Sequence, residues 1–292
     1  MSQEFEIIEK AINNRANGGF DKEKWKKEKQ DQKEWAYKTQ DLMAEKIVVD
    51  SDKFKQYLKV QSNFPSYSVG NALLVTAKYP QATMLKDRDG WKKEKVYLKR
   101  NPKEIVILEP QEFENNEGQI ITTYNPKELY DISQTQAKNI KQLPYKTENI
   151  LKAVLSIAPV KVVISKTELK NNKSVCLDLD NRQIAIKQNT EVNEMLQGLI
   201  NEIASIQLQT FRDEPLDNFK NKCVTYMISQ KYNLPVDNID LTDIPKELSE
   251  LDAKQIKEEL TPVARCSESL IDGMDRTLGI ENRFKTSRVH ER

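Results

Sequence analysis

Residues 194–209, with the sequence EMLQGLINEIASIQLQ, have the apolar spacing of an amphipathic helix. Within it, Asn201, Glu202 and Ser205 stand at the three defining positions of the metal-binding pattern H-E-x-x-H. That pattern holds zinc through two imidazoles on successive helical turns, and the chain has a single histidine, His290. The three cysteines are scattered and do not replace the missing ligands. The supply of ligands therefore argues against a mononuclear zinc hydrolase.

Length and composition are those of a globular protein with a wet surface. The chain has 292 residues, of which 31% are charged and 38% hydrophobic, and this length predicts two domains. Three cysteines without C-x-x-C spacing indicate reduced thiols. No apolar run reaches the roughly 18–20 residues of a membrane span, and the first ten residues lack an export pattern. We therefore expect a cytoplasmic protein without a membrane partner.

The first half of the chain changes from helical to strand patterns. Residues 21–48 contain no proline or glycine and predict one long helix. Two short helices follow, the second capped by Ser66 or Ser68 and ending before Pro80. Residues 82–136 then alternate, with turn signals at DRDG, RNPK, NNEG and YNP, which predicts a small antiparallel sheet.

The second half returns to helices after a short β-rich region. The patterns predict a helix at 148–159, strands within 160–187, helices at 191–210 and 216–234, and a last helix from the Thr261–Pro262 cap to about Leu278. The composition changes near residues 133–148, so we place the domains at 1–135 and 148–292. The predicted fold class is α+β with a helical C-terminus.

The chain has a net charge of only +1, although it contains one strongly basic and one strongly acidic segment. Residues 84–103 carry eight bases and three acids, whereas residues 236–260 carry eight acids and three lysines. If the basic segment is a hairpin, Trp91, Lys93, Lys95 and Tyr97 alternate onto one face. Cations that track phosphates beside rings that stack on bases are typical of single-stranded nucleic acid binding. A solvated hairpin with Trp91 and Tyr97 in the core explains the same composition equally well.

Residues 50–235 resemble ArdC-type antirestriction proteins and the related LtrC-like proteins of conjugative plasmids. The matching positions, in order, are Phe54, Tyr57, Leu58, Phe64, Tyr67, Ser68, Asn71, Leu74, Pro80, Ala82, Thr83, Trp91 and Ile105 to Pro110. Residues 130–135, YDISQT, resemble the linker strand of that family. The family joins an N-terminal single-stranded-DNA-binding domain to a C-terminal zinc-metallopeptidase-like domain. The resemblance thus implies the same two parts here.

The resemblance also implies that the metal site has been lost. It aligns Asn201 and Ser205 with the two histidines, and Lys222 with the acidic third ligand on the next helix. An amide and a hydroxyl are poor zinc donors, and an ammonium repels a dication. Only Glu202 survives, as a vestigial catalytic residue, either at the edge of a polar stripe or paired with Lys222. We expect no metal, no cofactor and no catalysis.

The function predicted from these features is single-stranded DNA binding on a mobile genetic element, in plasmid transfer, establishment or antirestriction. The DNA-binding residues expected are Trp91, Lys92, Lys93, Lys95, Tyr97, Lys99 and Arg100, to which the resemblance adds Tyr67 and Asn71. One alternative is a module whose C-terminal half binds a protein or mimics DNA through its acidic segment. Another is a metallopeptidase with atypical ligands.

Overall fold

The protein has an α+β fold, which confirms the predicted class. The computed structural model describes residues 22–115, 118–137 and 145–280. The single histidine, His290, lies outside these ranges, as does most of the expected interdomain linker. In the described part of the chain, no helix is long and apolar enough to cross a bilayer.

Three helices open the fold, as the sequence predicted. They are α1 (Lys22–Ile47), α2 (Ser51–Asn63) and α3 (Val69–Lys78). The side chain of Asp50 accepts from the backbone N–H of Lys53 and caps α2, while Ser68 accepts from the N–H of Asn71 and caps α3. Of the two predicted caps for α3, Ser68 is the one used. Apolar side chains of α2 and α3, among them Phe54, enter the core.

The first sheet is built around one long hairpin. Its strands are β1 (Leu85–Lys86), β2 (Ile105–Glu114) and β3 (Ile120–Asp131), all antiparallel, in the order β1-β3-β2. The predicted turn at NNEG falls between β2 and β3; there the N–H of Gly118 donates to the carbonyl of Asn115 at 3.0 Å, and Asn116 and Glu117 lie outside the described residues. The predicted turn at YNP does not form. Pro126 instead lies inside β3 opposite Leu108. Because β1 pairs only with the end of β3, Pro126 needs no N–H for a second neighbour.

The basic segment is not the predicted hairpin. After β1 the chain forms the short helix α4 (Arg88–Lys93), whose cap is the Asp87 carboxylate accepting from the N–H of Gly90 at 2.6 Å. Lys95 then takes φ of +59° and ends the helix, with its N–H donating to the carbonyl of Lys92. The turn residues of DRDG thus start a helix, because a capping carboxylate satisfies its first free N–H group.

The second half contains a mixed sheet covered by helices. Its elements are α5 (Thr147–Ser156), β4 (Lys161–Ser165), β5 (Val175–Asp178), β6 (Gln183–Lys187), α6 (Val192–Leu208), α7 (Pro215–Lys231), α8 (Lys246–Ser249) and α9 (Ala253–Thr277). The central β6 pairs in parallel with β4 and antiparallel with β5. The predicted helices 148–159, 191–210 and 216–234 are confirmed as α5, α6 and α7.

The last helix begins eight residues before its predicted start. Asp252 and Gln255 form a reciprocal capping box, so α9 starts at Ala253 and Pro262 lies inside it. The acidic segment 236–260 is therefore not a free tail. Its C-terminal part is the first two turns of α9, where Lys257 contacts Asp41 of α1 at 2.6 Å.

One hydrophobic core runs through both halves. Helix α2 packs on α7, with the rings of Phe54 and Phe219 at 5.2 Å, and α9 contacts α1 and α3 as well as α5, α6 and α7. The predicted boundary between residues 135 and 148 stays a prediction, since residues 138–144 lie outside the described ranges. The shared core nevertheless fixes the N-terminal sheet relative to the C-terminal helices.

Candidate nucleic-acid interface

The cations of residues 92–100 project into solvent beside an exposed tyrosine. We call this the basic surface, and it consists of Lys92, Lys93, Lys95, Tyr97, Lys99 and Arg100. Lys92 and Lys93 stand in the last turn of α4, where the helix dipole favours cations. The Tyr97 ring is 62% exposed. Within the described residues, no carboxylate lies within salt-bridge distance of Lys92, Lys93, Lys95 or Arg100.

The backbone that carries the basic surface is held by hydrogen bonds to the end of the first sheet. The carbonyl of Tyr97 accepts from the N–H of Gln136, and the N–H of Lys99 donates to the carbonyl of Gln134, both at 2.8 Å. The Lys99 ammonium donates to the carbonyl of Ser133 at 2.8 Å. This loop is thus tied at several points, and its exposed side chains present a preformed group of charges.

Trp91 does not belong to this surface, contrary to the prediction. Its side chain is 1% exposed, and its indole N–H donates to the carbonyl of Tyr130 at 2.8 Å. Lys86, which pairs with Glu94, lies over the ring at 5.4 Å. Because α4 replaces the expected hairpin, residue 91 turns inward while its neighbours remain outside. The buried ring cannot stack on a base.

Asn71 and Tyr67 make contacts within the protein and are not part of the basic surface. The Asn71 amide donates to the carbonyl of Leu108 and accepts from its N–H, both at 2.9 Å, which fastens α3 to β2. The half-buried Tyr67 ring stacks on Phe64 at 5.1 Å, and burial raises the pKa of its hydroxyl. Asn71 also lines the cavity described below.

Glu202 pairs with a different lysine from the one predicted. Its carboxylate, 8% exposed, lies 3.8 Å from the ammonium of Lys173, whereas Lys222 is exposed on α7 near Asp240. The predicted Glu202–Lys222 pair is therefore wrong, because α7 turns Lys222 to solvent. Burial raises the pKa of Glu202 above its ordinary value, and Lys173 offsets only part of that effect.

Of the three positions that the resemblance aligns with zinc ligands, Ser205 uses its hydroxyl in a hydrogen bond within the protein. The Ser205 hydroxyl donates to the carbonyl of Thr210 at 2.8 Å, and the Thr210 hydroxyl bonds the Asn221 side chain at 2.7 Å. Asn201, one turn before Ser205, adds a neutral amide. Among the residues with described positions, no three His, Cys, Asp or Glu side chains cluster as metal ligands. This set of donors does not fit a zinc ion.

A cavity of about 190 Å³ lies between α1, α3, the long hairpin and α9. Its walls are formed by Tyr37, Gln40, Ser68, Gly70, Asn71, Leu108, Tyr124 and Lys257. Sequence reasoning missed most of these residues, since they come from five separate elements. One signal was available: Gly70 lies in the first turn of α3, and a glycine within a helix often marks a close approach of another group.

Comparison with solved structures gives weak similarities, two of them to an antirestriction protein. No protein-family model and no curated protein matches the chain. The antirestriction protein ArdC of plasmid R388, in a Mn(II)-bound structure, is 10% identical over 72% of this chain and 84% of that chain, with a TM-score of 0.48. Its metal-free structure is 10% identical over 74% and 87% of the two chains, with a TM-score of 0.47. Both scores are too low to support a functional argument.

Proposed function

We propose that this protein binds single-stranded DNA through the basic surface, as a component of a mobile genetic element. The resemblance of residues 50–235 to ArdC-type and LtrC-like proteins implies a role in antirestriction, plasmid transfer or establishment. We further propose that the C-terminal half has no peptidase activity and serves as a scaffold for the DNA-binding half.

The observation that carries this proposal is the exposed group of cations around Tyr97. Lysine and arginine side chains neutralise backbone phosphates, while an exposed aromatic ring offers a stacking platform to unpaired bases. A duplex keeps its bases stacked on one another, so Tyr97 adds binding energy only for a single strand. A loop that only contacted solvent would require neither an exposed aromatic ring nor a backbone held by hydrogen bonds.

The absence of peptidase activity is supported by side-chain chemistry. Ser205 already uses its hydroxyl proton on Thr210, and Asn201 offers a neutral amide in place of an imidazole. In the metallopeptidase mechanism, the glutamate at this position removes a proton from a water whose pKa a metal ion has lowered. Without ligands to hold such an ion, Glu202 has no role in that mechanism.

The proposal is tested by neutralising three cations of the basic surface. We expect the triple variant Lys92→Gln/Lys93→Gln/Lys95→Gln to bind a fluorescein-labelled oligothymidine much more weakly than wild type in an anisotropy titration. The matched control is Lys161→Gln/Lys166→Gln/Lys170→Gln, which neutralises three exposed lysines of the second half. Control and wild type should bind alike.

Salt dependence gives a second readout of the same contacts. Each phosphate contact on a single strand contributes a slope of about −0.7 to log K against log salt, so removing three contacts should flatten the slope by about 2. Equal affinities for the triple variant and the control, or equal slopes for the variant and wild type, would refute binding through the basic surface.

A further inference from the structure

The cavity between α1, α3 and the hairpin has two aromatic walls. Tyr37 of α1 and Tyr124 of β3 both line it, and the Tyr37 ring is 39% exposed. Partial burial raises the pKa of the Tyr37 hydroxyl, and the Tyr124 phenol raises it further. Such a pair of rings suits a flat aromatic ligand.

The floor of the cavity carries a polar group with unused hydrogen-bonding capacity. Gln40 is only 6% exposed, and no hydrogen bond to another residue of the described ranges satisfies its amide. The amide lies over Gly70, where a Cβ atom would come within 2.7 Å of its nitrogen. A ligand that enters the cavity can pair with this amide and form a hydrogen bond that the protein alone leaves unused.

The size of the cavity limits what it can hold. Pockets that enclose whole small-molecule ligands measure roughly 300–1,000 Å³, and this cavity measures about 190 Å³. It accommodates a single ring system while the rest of the ligand stays outside. A glutamine amide can bond the edge of a base through its donor and acceptor together.

Two lysines lie at or near the cavity, one of them paired with a carboxylate. Lys257 lines the wall, held by Asp41 at 2.6 Å. Lys33, half-buried, precedes Tyr37 by four residues and therefore lies on the same face of α1. The ligand expected at this cavity is thus a ring joined to an anionic backbone.

The cavity lies along β3 from the basic surface. Tyr124, at the cavity, is six residues from Tyr130, a span of about 20 Å at roughly 3.3 Å per residue. Tyr130 itself is buried, and Arg88 of α4 lies over its ring at 4.7 Å, beside the start of the basic surface. A short run of nucleotides is long enough to cover this distance.

We propose that the cavity captures one unpaired base of the DNA strand held by the basic surface, with the ring between Tyr37 and Tyr124 and its edge on the Gln40 amide. This inference rests on the proposed function and adds to it a fixed position for one nucleotide.

The test compares oligothymidine with an abasic oligonucleotide of the same length, by anisotropy with wild type and Gly70→Ala. An alanine at residue 70 favours the helix, and its Cβ atom displaces the flexible Gln40 side chain from its present position. We expect wild type to prefer the base-containing strand by about 5- to 100-fold more than Gly70→Ala does. The salt-dependent binding of the abasic strand should remain unchanged.

Two further variants separate the cavity from general effects. Gln40→Ala should reduce the same preference, whereas Ser66→Ala, an exposed change before α3, should leave it intact. Urea unfolding of each variant confirms that the fold persists.

Several results would overturn the inference. A preference that survives both Gly70→Ala and Gln40→Ala would overturn the inference, even if the basic surface binds DNA. If wild type binds neither oligonucleotide, the proposed function fails; thymidine monophosphate then tests the cavity itself, and its failure to bind overturns the inference too. Thymidine monophosphate binding as tightly as the oligonucleotide would identify a free-nucleotide site instead of a strand site.

Discussion

At the scale of single residues, the aromatic side chains of the basic segment have opposite roles. Trp91 is buried against the carbonyl of Tyr130, whereas Tyr97, six residues later, is mostly exposed. Their residue types alone fit either role equally well. The difference arises because Asp87 caps a short helix, which replaces the alternation of a strand with the spacing of α4.

This contrast predicts different consequences for two aromatic substitutions. Tyr97→Ala should weaken single-stranded DNA binding by about 1–3 kcal/mol, because one stacking contact is lost, while Tyr97→Phe should keep it. Trp91→Phe should lower the free energy of unfolding, because its hydrogen bond is lost, without changing the affinity of the folded protein. Anisotropy and urea titrations measure the two quantities. An affinity loss confined to Trp91→Phe would contradict the assignment.

The buried carboxylate of Glu202 should make the free energy of unfolding depend on pH. Its folded-state pKa is raised by burial, so its contribution to stability is present below the unfolded pKa and is lost as pH rises through the folded pKa. Glu202→Gln should therefore be more stable than wild type at pH 8, and this advantage should vanish below about pH 4. The Lys173 pair lost in the variant is worth little, since Lys173 is 53% exposed.

Urea unfolding at several pH values measures this effect. The control is Glu168→Gln, which removes an exposed carboxylate paired with Lys187 and should show little pH-dependent change. A Glu202→Gln variant less stable than wild type at pH 8 would show that the carboxylate is stabilised by its surroundings, contrary to the burial argument.

At the scale of elements, hydrophobic periodicity predicted the helices well, and local polar contacts decided the exceptions. The long helix α1 follows from a run of helix formers without proline or glycine, and the helix α6 follows from its apolar spacing. The start of α9 at Ala253 and the formation of α4 depend on the side-chain caps of Asp252 and Asp87. Each cap depends on one side chain at the start of a helix, and hydrophobic periodicity does not reveal it.

The contacts between elements could not be predicted, because they join residues far apart in the chain. The Asn71 amide and the Leu108 backbone are 37 positions apart, and their two hydrogen bonds link α3 to β2. Likewise, nothing in the sequence indicates that Lys173, in the loop before β5, reaches Glu202. The candidate cavity could not be predicted from the sequence for the same reason, since α1, α3, β2, β3 and α9 each supply part of it.

The link between α3 and β2 predicts a large effect of a small substitution. Asn71→Ala leaves the buried N–H and carbonyl of Leu108 unpaired, so we expect a loss of about 2–4 kcal/mol in the free energy of unfolding. The matched control is Asn63→Ala, which removes a single half-buried bond to the carbonyl of Ala82. Urea titration should show the smaller loss for the control, and equal losses would contradict the paired contact.

At the scale of the whole molecule, the core crosses the predicted domain boundary. Phe54 of α2 meets Phe219 of α7, and α9 contacts helices from both halves. We therefore expect one cooperative unfolding transition. Phe219→Ala should lower stability by about 3–5 kcal/mol while keeping a single transition, whereas Phe211→Ala, at an exposed ring, should change little. Two separate transitions, with only the second shifted, would indicate independent domains.

Which charges are exposed and which are paired depends on the fold of the whole molecule. The near-neutral total conceals a basic surface on α4 and the following loop, and an acidic segment that enters α9 and is partly paired there, as between Glu259 and Lys220. That pairing holds part of the acidic segment against the body of the protein and leaves the basic surface available to a polyanion.

The most direct test of the account is a titration of the wild-type protein with labelled single-stranded and double-stranded DNA of one sequence, at about 50 and about 200 mM salt. We predict tighter binding to the single strand at both concentrations and a steep loss of affinity as salt rises. Equal affinity for the two forms, or binding that does not change with salt, would contradict the central claim.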